Sequence, residues 1–470
     1  MSGSVARLLP FALGLAVVVM AACGGSGTSA ARPPDLLLVS LDTLRADHLG
    51  SYGYARDTSP FLDGLAARGT RFARCIAPAP HTAPSHMSAF TGLDPAAHGV
   101  INARADAARV TRVSDRAPLL AEQLARAGYF NALVSEGGNV RPEMGFGRGF
   151  HARGFALAPI DYKLDEVSAV LDQAAPDRPL FLFFHTYLVH SPYVPPAPFF
   201  GRFTDPDYRG VFRARYDKLA SAPLLTQWGE AAGFLDTDSA PTEADLAFLV
   251  GLYDEGIQHA DHQVERLFAR WSARRDAANT LFAVFSDHGE EFFEHGRLGH
   301  RWGLFGPLVH VPLIVVGPGI PAGRVVPQTA SLSALGATLL DALGLDPTPL
   351  ASAGVLPLVR AAPSAAPAFG QSGPFKGNGR VELVEAGDRR LLRTWGTGVA
   401  RVGLFDPAAD PFDRVDLASA EPERANALIA LLDERLVLNL DRATVLPPAL
   451  RGELDPNAAR ELAALGYTGD

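Results

Sequence analysis

Four residues far apart in the chain are of types that could do chemistry together: Asp42, Thr82, Asp287 and His288. Asp42 ends the apolar run Leu36-Leu37-Leu38-Val39-Ser40-Leu41, and Asp287 follows a second apolar run from Thr280 to Ser286. Ligands gather at the carboxyl ends of strands in a parallel sheet. Two carboxylates facing one another there repel unless a cation lies between them, and His288 adds a nitrogen ligand. Thr82 stands two residues before Pro84, and proline suits the first turn of a helix. A hydroxyl at that point lies beside unpaired N–H groups that attract anions. Contact with a metal would lower its pKa toward a nucleophilic alkoxide. The inferred site is one divalent ion ringed by Asp42, Asp287, His288 and the Thr82 oxygen, with Ca, Mg, Mn and Zn not distinguished. Each piece has a plainer reading. An Asp at a strand end is often a turn former, and Thr82 could simply cap the helix.

The elements that must position these residues are legible as patterns. From Asp35 to about Gly344, short apolar runs alternate with helical periodicity, as expected for an α/β fold with a parallel sheet and helices on both faces. Predicted strands are Leu36–Leu41, Tyr129–Ser135, Leu180–His185, Thr280–Ser286 and Val311–Val316. Predicted helices include Pro60–Ala67, Pro84–Thr91 and Pro118–Ala127, the last closed by Gly128. The longest runs from Thr242 to about Trp271, with Leu246, Leu249, Val250, Tyr253, Ile257, Val264, Leu267 and Phe268 at three-four spacing and Thr242 with Asp245 as its cap. Residues 194–241, irregular and rich in Pro, Gly, Asp and aromatics, read as an insertion covering the site's mouth. Arg45 and Asp47 are expected to pair behind Asp42. Glu290, Glu291 and Glu294 read as an exposed acidic turn, and Asp254 and Asp261 as solvated or structural. His185, His295 and His310 could supply a second metal site, although no spacing demands one.

A chain of 470 residues with 47% hydrophobic and 20% charged residues can bury a large core and a smaller companion. Its net charge of -9 argues against nucleic-acid binding. No Lys falls in the candidate site, since the only positions are Lys163, Lys218 and Lys376. At the start, Arg7 precedes an apolar run too short to span a membrane, then Met20-Ala21-Ala22-Cys23. This reads as an export signal over 1–22 with Cys23 as a lipidated first residue, a plain cleaved signal being the alternative. Residues 23–34 form a tether, 35–344 the catalytic domain, 345–374 a Pro/Ala/Ser/Gly-rich linker, and 375–470 a small lobe of edge-type strands and a helix from Glu421 to about Leu436. Anchoring at the periplasmic side or surface of a bacterial envelope, with membrane contact only through the lipid, follows from that reading. Cys75 is left as a buried, inert thiol.

The run Thr82-Ala83-Pro84-Ser85-His86 followed by Thr91-Gly92 and His98-Gly99-Val100, together with the Asp42 strand and Ser286-Asp287-His288-Gly289-Glu290, resembles the sulfatase-like branch of the alkaline phosphatase superfamily. The resemblance covers the catalytic domain and extends to the small lobe with its closing Leu465-Gly466-Tyr467. It implies an alkaline-phosphatase-like fold with a large mixed, mostly parallel sheet and a C-terminal α+β lobe. It also implies metal-dependent cleavage of sulfate or phosphate-type esters through a covalent intermediate, on small-molecule, glycan or lipid substrates. His190, in His190-Ser191-Pro192, matches the family's His-x-Pro element, and His300 falls where relatives carry Lys or His. His86 takes the place of the motif Arg, so an anion-binding and proton-donating role is implied for His86, His190 and His300, with activity falling as pH rises past the His range. Two departures stand out. Thr43 replaces a second Asp, and Thr82 replaces the Cys or Ser that is oxidised to formylglycine. The sequence Cys75-Ile76-Ala77-Pro78-Ala79 does not fit that aldehyde motif. Thr at the nucleophile resembles phosphodiesterases and phosphoglycol or phosphoethanolamine transferases more than sulfatases, and a phosphodiesterase/phosphonate monoester hydrolase or a phosphoethanolamine-type transferase is the enzymatic alternative. A catalytically silent lipoprotein of the same fold is the non-enzymatic alternative.

Overall fold

The computed structural model describes residues 32–102, 109–229, 231–237, 239–300, 303–354, 366–373, 379–396, 399–446, 450–453, 456, 459, 460 and 462. The predicted export segment 1–22, Cys23, nearly all of the tether and Leu465-Gly466-Tyr467 lie outside these residues, as does the middle of the linker. Among the described residues, no helix is long and apolar enough to cross a membrane.

The strand Asp35–Leu41 lies at the centre of a nine-stranded sheet, parallel to Leu180–Thr186 on one side and to Thr280–Phe285 on the other. Phe130–Ser135 and Ala152–Gly154 extend the parallel region. Beyond Thr280–Phe285 the order turns mixed: Leu313–Val316 runs antiparallel to it and to Thr70–Ile76, which pairs in parallel with Arg324–Ser331. The predicted strand Val311–Val316 is interrupted at Pro312, giving His310–Val311 and Leu313–Val316, because proline cannot donate to a ladder.

Strand alternation sorts side chains onto two faces. Leu37, Val39 and Leu41 join a core with the helices Pro60–Arg68, Ile160–Gln173 and Glu243–Ser272. Leu36 and Leu38 face the other way, toward Thr82–Thr91, Leu120–Arg126 and Leu335–Ala342. Each fully buried Leu or Val here contributes roughly 1.5–3 kcal/mol from apolar burial, which explains why the central strands read as continuous apolar runs. The long helix begins one residue after Thr242, whose hydroxyl accepts from Asp245 N–H in a reciprocal capping box. Asp261, on that helix, accepts from the N–H groups of Phe61 and Leu62 and so caps a neighbouring helix. Its role is structural.

A second, antiparallel sheet of four strands follows, Ala368–Ser372, Val381–Ala386, Arg389–Thr394 and Arg401–Phe405. Its first strand lies inside the span read as linker. One face, with Val384, Leu391 and Leu404, packs on the helix Pro422–Val445. The other face, with Leu383 and Leu392, merges with the core of the large sheet. Arg390 is buried between Glu385 and Asp413, and Asp413 Oδ2 also accepts from Gly306 N–H, tying the small sheet to the large domain.

Candidate metal and ester-cleavage site

Asp42 and Asp287 leave the carboxyl ends of adjacent parallel strands, paired up to Ser40 and Phe285. With His288 they form a fully buried cluster, one donor atom from each residue lying within 4.8 Å of the others. His288 Nε2 is 3.4 Å from Asp287 Oδ2 and 3.8 Å from Asp42 Oδ1. The ring's Nδ1–H donates to Gly289 O at 3.0 Å, which leaves the lone pair on Nε2 facing the carboxylates. Asp42 Oδ1, both oxygens of Asp287 and His288 Nε2 are buried with no hydrogen-bond partner. Two carboxylates held this way without compensation are costly. A hard divalent cation would satisfy one such donor from each of the three residues, so the donor set fits a metal of that kind.

The electrostatics agree with the geometry. Burial opposes ionisation of Asp42, yet its hydrogen bond to His185 and the neighbouring His288 and His190 hold its pKa below the ordinary carboxylate range. Burial, with the Asp42 charge beside it, pushes Asp287 well above that range. One carboxylate of the pair resists ionisation until positive charge arrives.

Loops behind the cluster are locked. Thr43, one of the two departures noted in the sequence, has φ 61, an uncommon conformation for a β-branched residue that tends to persist only where surrounding structure enforces it. Its hydroxyl donates to Asp42 O, while Tyr253 OH donates to Thr43 O and accepts from Arg45 N–H. Arg45 does pair with Asp47, and it also donates to Glu294 and to Glu290 O. The expected exposed acidic turn is therefore corrected: Glu290 and Glu291 are buried, because Arg45, Tyr193, His300 and His295 satisfy them from inside the fold.

Thr82 is the first residue of the helix Thr82–Thr91, two residues earlier than Pro84 suggested, and is fully buried. The helix ends at Gly92, φ 72, where a Cβ would stand 1.9 Å from Leu350 O. Its first turn is pinned to the Asp287 segment: Ser85 Oγ donates to Asp287 O at 2.6 Å, and His86 Nδ1 lies 3.4 Å from Asp287 Oδ2. Asn102, absent from the sequence-derived site, accepts from Ala83 N–H through Oδ1 at 2.8 Å and leaves Nδ2 buried without an acceptor. No local motif marks it, because it reaches the helix from a loop.

The histidines divide. His86 does not supply the expected cation. Its Nδ1–H donates to Thr82 O and its Nε2 pairs with Ser40 Oγ, in a fully buried setting against Phe183 and Phe285. Burial, together with neighbouring His185, pushes its pKa down to about 3. His190 and His300 do come together, ring centroids 5.2 Å apart, with His300 also 4.5 Å from His288 and 6.2 Å from His81 beside Thr82. His190 Nδ1–H donates to Ser191 O, and Nε2 is buried without a partner. Of the second-metal candidates, His185 hydrogen-bonds Asp42, whereas His295 pairs with Glu291 and His310 with Ala73 O, away from the cluster. Trp228, from the 194–241 insertion, packs against His190 and Tyr187.

Comparison with known proteins follows the same lines. The family model Sulfatase matches residues 34–345. N-acetylgalactosamine-6-sulfatase of Canis lupus familiaris is 25% identical over 366 residues, covering 70% of this chain and 66% of that protein, just under two-thirds of its length. Arylsulfatase A of Bos taurus is 35% identical over 137 residues, 26% of either chain. Among solved structures, a 2-O GAG sulfatase superposes with a TM-score of 0.68 at 17% identity, covering 91% of this chain and 96% of its own. A phosphonate monoester hydrolase of Agrobacterium radiobacter gives 0.64 at 21%, covering 87% and 96%.

Proposed function

The chain belongs to the sulfatase family, and from that premise we propose that it is a metal-dependent hydrolase of sulfate or phosphate-type esters with Thr82 as its nucleophile. The observation that carries this reading is the set of four buried, unpartnered donor atoms on Asp42, Asp287 and His288, pinned against the turn that begins at Thr82. Asp42, Asp287, His288 and the Thr82 oxygen would hold one divalent cation. When bound, the cation supplies charge neutralisation and favours the Thr82 alkoxide.

The remaining steps belong to the chain's own residues. Thr82 Oγ1 forms a bond to sulfur or phosphorus as the bond to the leaving alcohol oxygen breaks. In this reading Asn102 Nδ2 donates to the anion's oxygens, His190 Nε2 does so when its ring carries both protons, and His300 delivers the proton the leaving oxygen needs. Water then displaces Thr82 Oγ1 from sulfur or phosphorus and releases sulfate or, from the phosphorus substrates, the phosphonate or phosphate monoester anion. Thr82, a secondary alcohol, cannot be oxidised to the aldehyde that formylglycine chemistry uses, so release requires that second displacement.

Sulfate monoesters are the first substrate class, on small molecules or glycans like those named for the relatives. Phosphodiesters and phosphonate monoesters are the second, and they share one feature with the first: a single negative charge. Among the described residues, the ion-pair partners of Asp42 and Asp287 are histidines, with no Lys or Arg, a poor setting for a dianion. Anchoring to the envelope through Cys23 belongs to the same proposal.

The test is turnover of aryl sulfate, phosphate monoester, phosphodiester and phosphonate substrates by purified protein with calcium, magnesium, manganese or zinc. Turnover that a chelator abolishes and Thr82→Ala lacks supports the reading. Silence with every metal would instead favour a non-catalytic lipoprotein of this fold.

A further inference from the structure

Glu290 lies two residues beyond His288, and its side chain is fully buried. Its two carboxylate oxygens have separate tasks. Oε1 meets His300 Nδ1 at 2.9 Å, and Oε2 accepts from Tyr193 OH at 2.7 Å. Its main-chain oxygen accepts from Arg45 Nη1 at 2.9 Å. The local fold makes this meeting unavoidable. Glu291–Phe292 and Leu298–Gly299 pair antiparallel, with Glu291 opposite Gly299, so the chain folds back and sets residue 300 against residue 290. Gly299 sits at φ 90, a left-handed conformation glycine adopts without penalty.

We infer that Glu290 is a positioning residue: by accepting from Nδ1–H it fixes the imidazole of His300 in the orientation that turns Nε2, rather than Nδ1, toward the ester's leaving oxygen. The inference rests on the reading of His300 as the proton donor. A neutral imidazole can carry its proton on either nitrogen, and the partner of one nitrogen decides which nitrogen the substrate meets. A carboxylate on Nδ1–H settles that choice, so Nε2 is the nitrogen that exchanges a proton with the substrate. The Tyr193 phenol, from the same loop as His190, keeps the Glu290 carboxylate from rotating away. One buried acid thus ties both of the site's unligated histidine loops to the stretch that carries Asp287 and His288.

The experiment measures kcat/KM for a series of aryl esters whose leaving phenols range from strongly to weakly acidic. A good leaving group needs no proton, so loss of the donor shows only on poor ones. We expect His300→Ala to lose about 10²- to 10⁴-fold on the poorest leaving group and little on the best. Glu290→Ala should reproduce that bias with wild-type metal affinity. Glu290→Gln, which still offers an acceptor to Nδ1–H, should recover much of the loss. Where the alanine variant does not fold, Glu290→Ser, which admits a water beside the imidazole, takes its place. A uniform loss across the series, or none, in the Glu290 variants while His300→Ala keeps its bias would overturn the inference. Absence of bias in His300→Ala would remove the proton-donor reading beneath it.

Discussion

His185 Nε2 stands 3.3 Å from Asp42 Oδ2, while the opposite oxygen of the same carboxylate, Oδ1, is buried without a partner. One oxygen of Asp42 is thereby committed to the protein and the other left for a cation. His185 Nδ1 is itself 3.2 Å from Ser135 Oγ, so the ring is held at both ends. Partners of this kind set ligand orientation, and His185→Ala should weaken divalent-metal binding about 10- to 100-fold. His185→Gln, which retains a donor for Oδ2, should lose less. Calorimetric titration of the metal-free protein checks this, and unchanged affinity in the alanine variant would contradict it.

Asp287 presents the opposite case, since both of its oxygens lack partners. Burial and the adjacent Asp42 charge raise its pKa above the unfolded value, so at neutral pH the ionised form costs folding stability when no cation is bound. In the presence of chelator, Asp287→Asn should be more stable than the wild type by more than about 1 kcal/mol, one pKa unit being worth about 1.4. Saturating metal should reverse the order, because only the wild type gains binding energy. Urea midpoints with and without metal report both signs.

His98 gives a pH dependence of stability outside the metal cluster. Its Nδ1 accepts from Val100 N–H and its Nε2 pairs with Ser88 Oγ, each at 3.0 Å. A second proton on Nδ1 would set two donors against each other. Burial, which outweighs the opposing Asp94 charge, lowers its pKa from 6.5 to about 4. A depressed histidine pKa means the unfolded chain takes the proton first. The contribution is therefore complete above about pH 6.5 and is lost as pH falls toward 4, to the extent of about 3 kcal/mol. The stability gap between wild type and His98→Asn should narrow over that interval, and a constant gap would refute the assignment.

Glu255 anchors the segment 201–204 of the insertion. Its Oε1 accepts from the N–H groups of Gly201, Phe203 and Thr204 and from the Thr204 hydroxyl. Removing it strands three backbone donors, each costing about 1–3 kcal/mol if unsatisfied. Glu255→Ala should raise hydrogen exchange across residues 199–205 and at Trp228 while leaving the central strands protected. Exchange that rises everywhere would mean a global loss of stability instead.

Much of this was legible in the residues, and the misses have physical reasons. Asp35–Leu41, Leu180–Thr186 and Thr280–Phe285 stood out because strands buried on both faces are continuously apolar. Thr70–Ile76 was missed: Arg71, Ala73 and Arg74 break its pattern on a partly covered surface. Arg324–Ser331 was hidden by Pro327, which sits where the strand's register shifts. Asp42, Asp287 and His288 stood out as candidate ligands at strand ends, and the structure brings them together. Glu290 read as surface because an isolated acidic run carries no trace of the Arg45, Tyr193 and His300 that meet it across the fold. His86 misled for the converse reason, since sequence position does not reveal that Ser40 and its own helix occupy both ring nitrogens.

The proposed reaction requires Thr82 to become covalently bonded to the group it removes. The most direct measurement is mass mapping of peptides from enzyme acid-quenched during steady-state turnover of a sulfate or phosphonate ester with metal present. The peptide that contains Thr82 should gain the mass of one transferred group, a gain that Thr82→Ala abolishes together with turnover. A modified residue elsewhere, or Thr82→Ala enzyme turning over at the wild-type rate with no adduct formed, would contradict it.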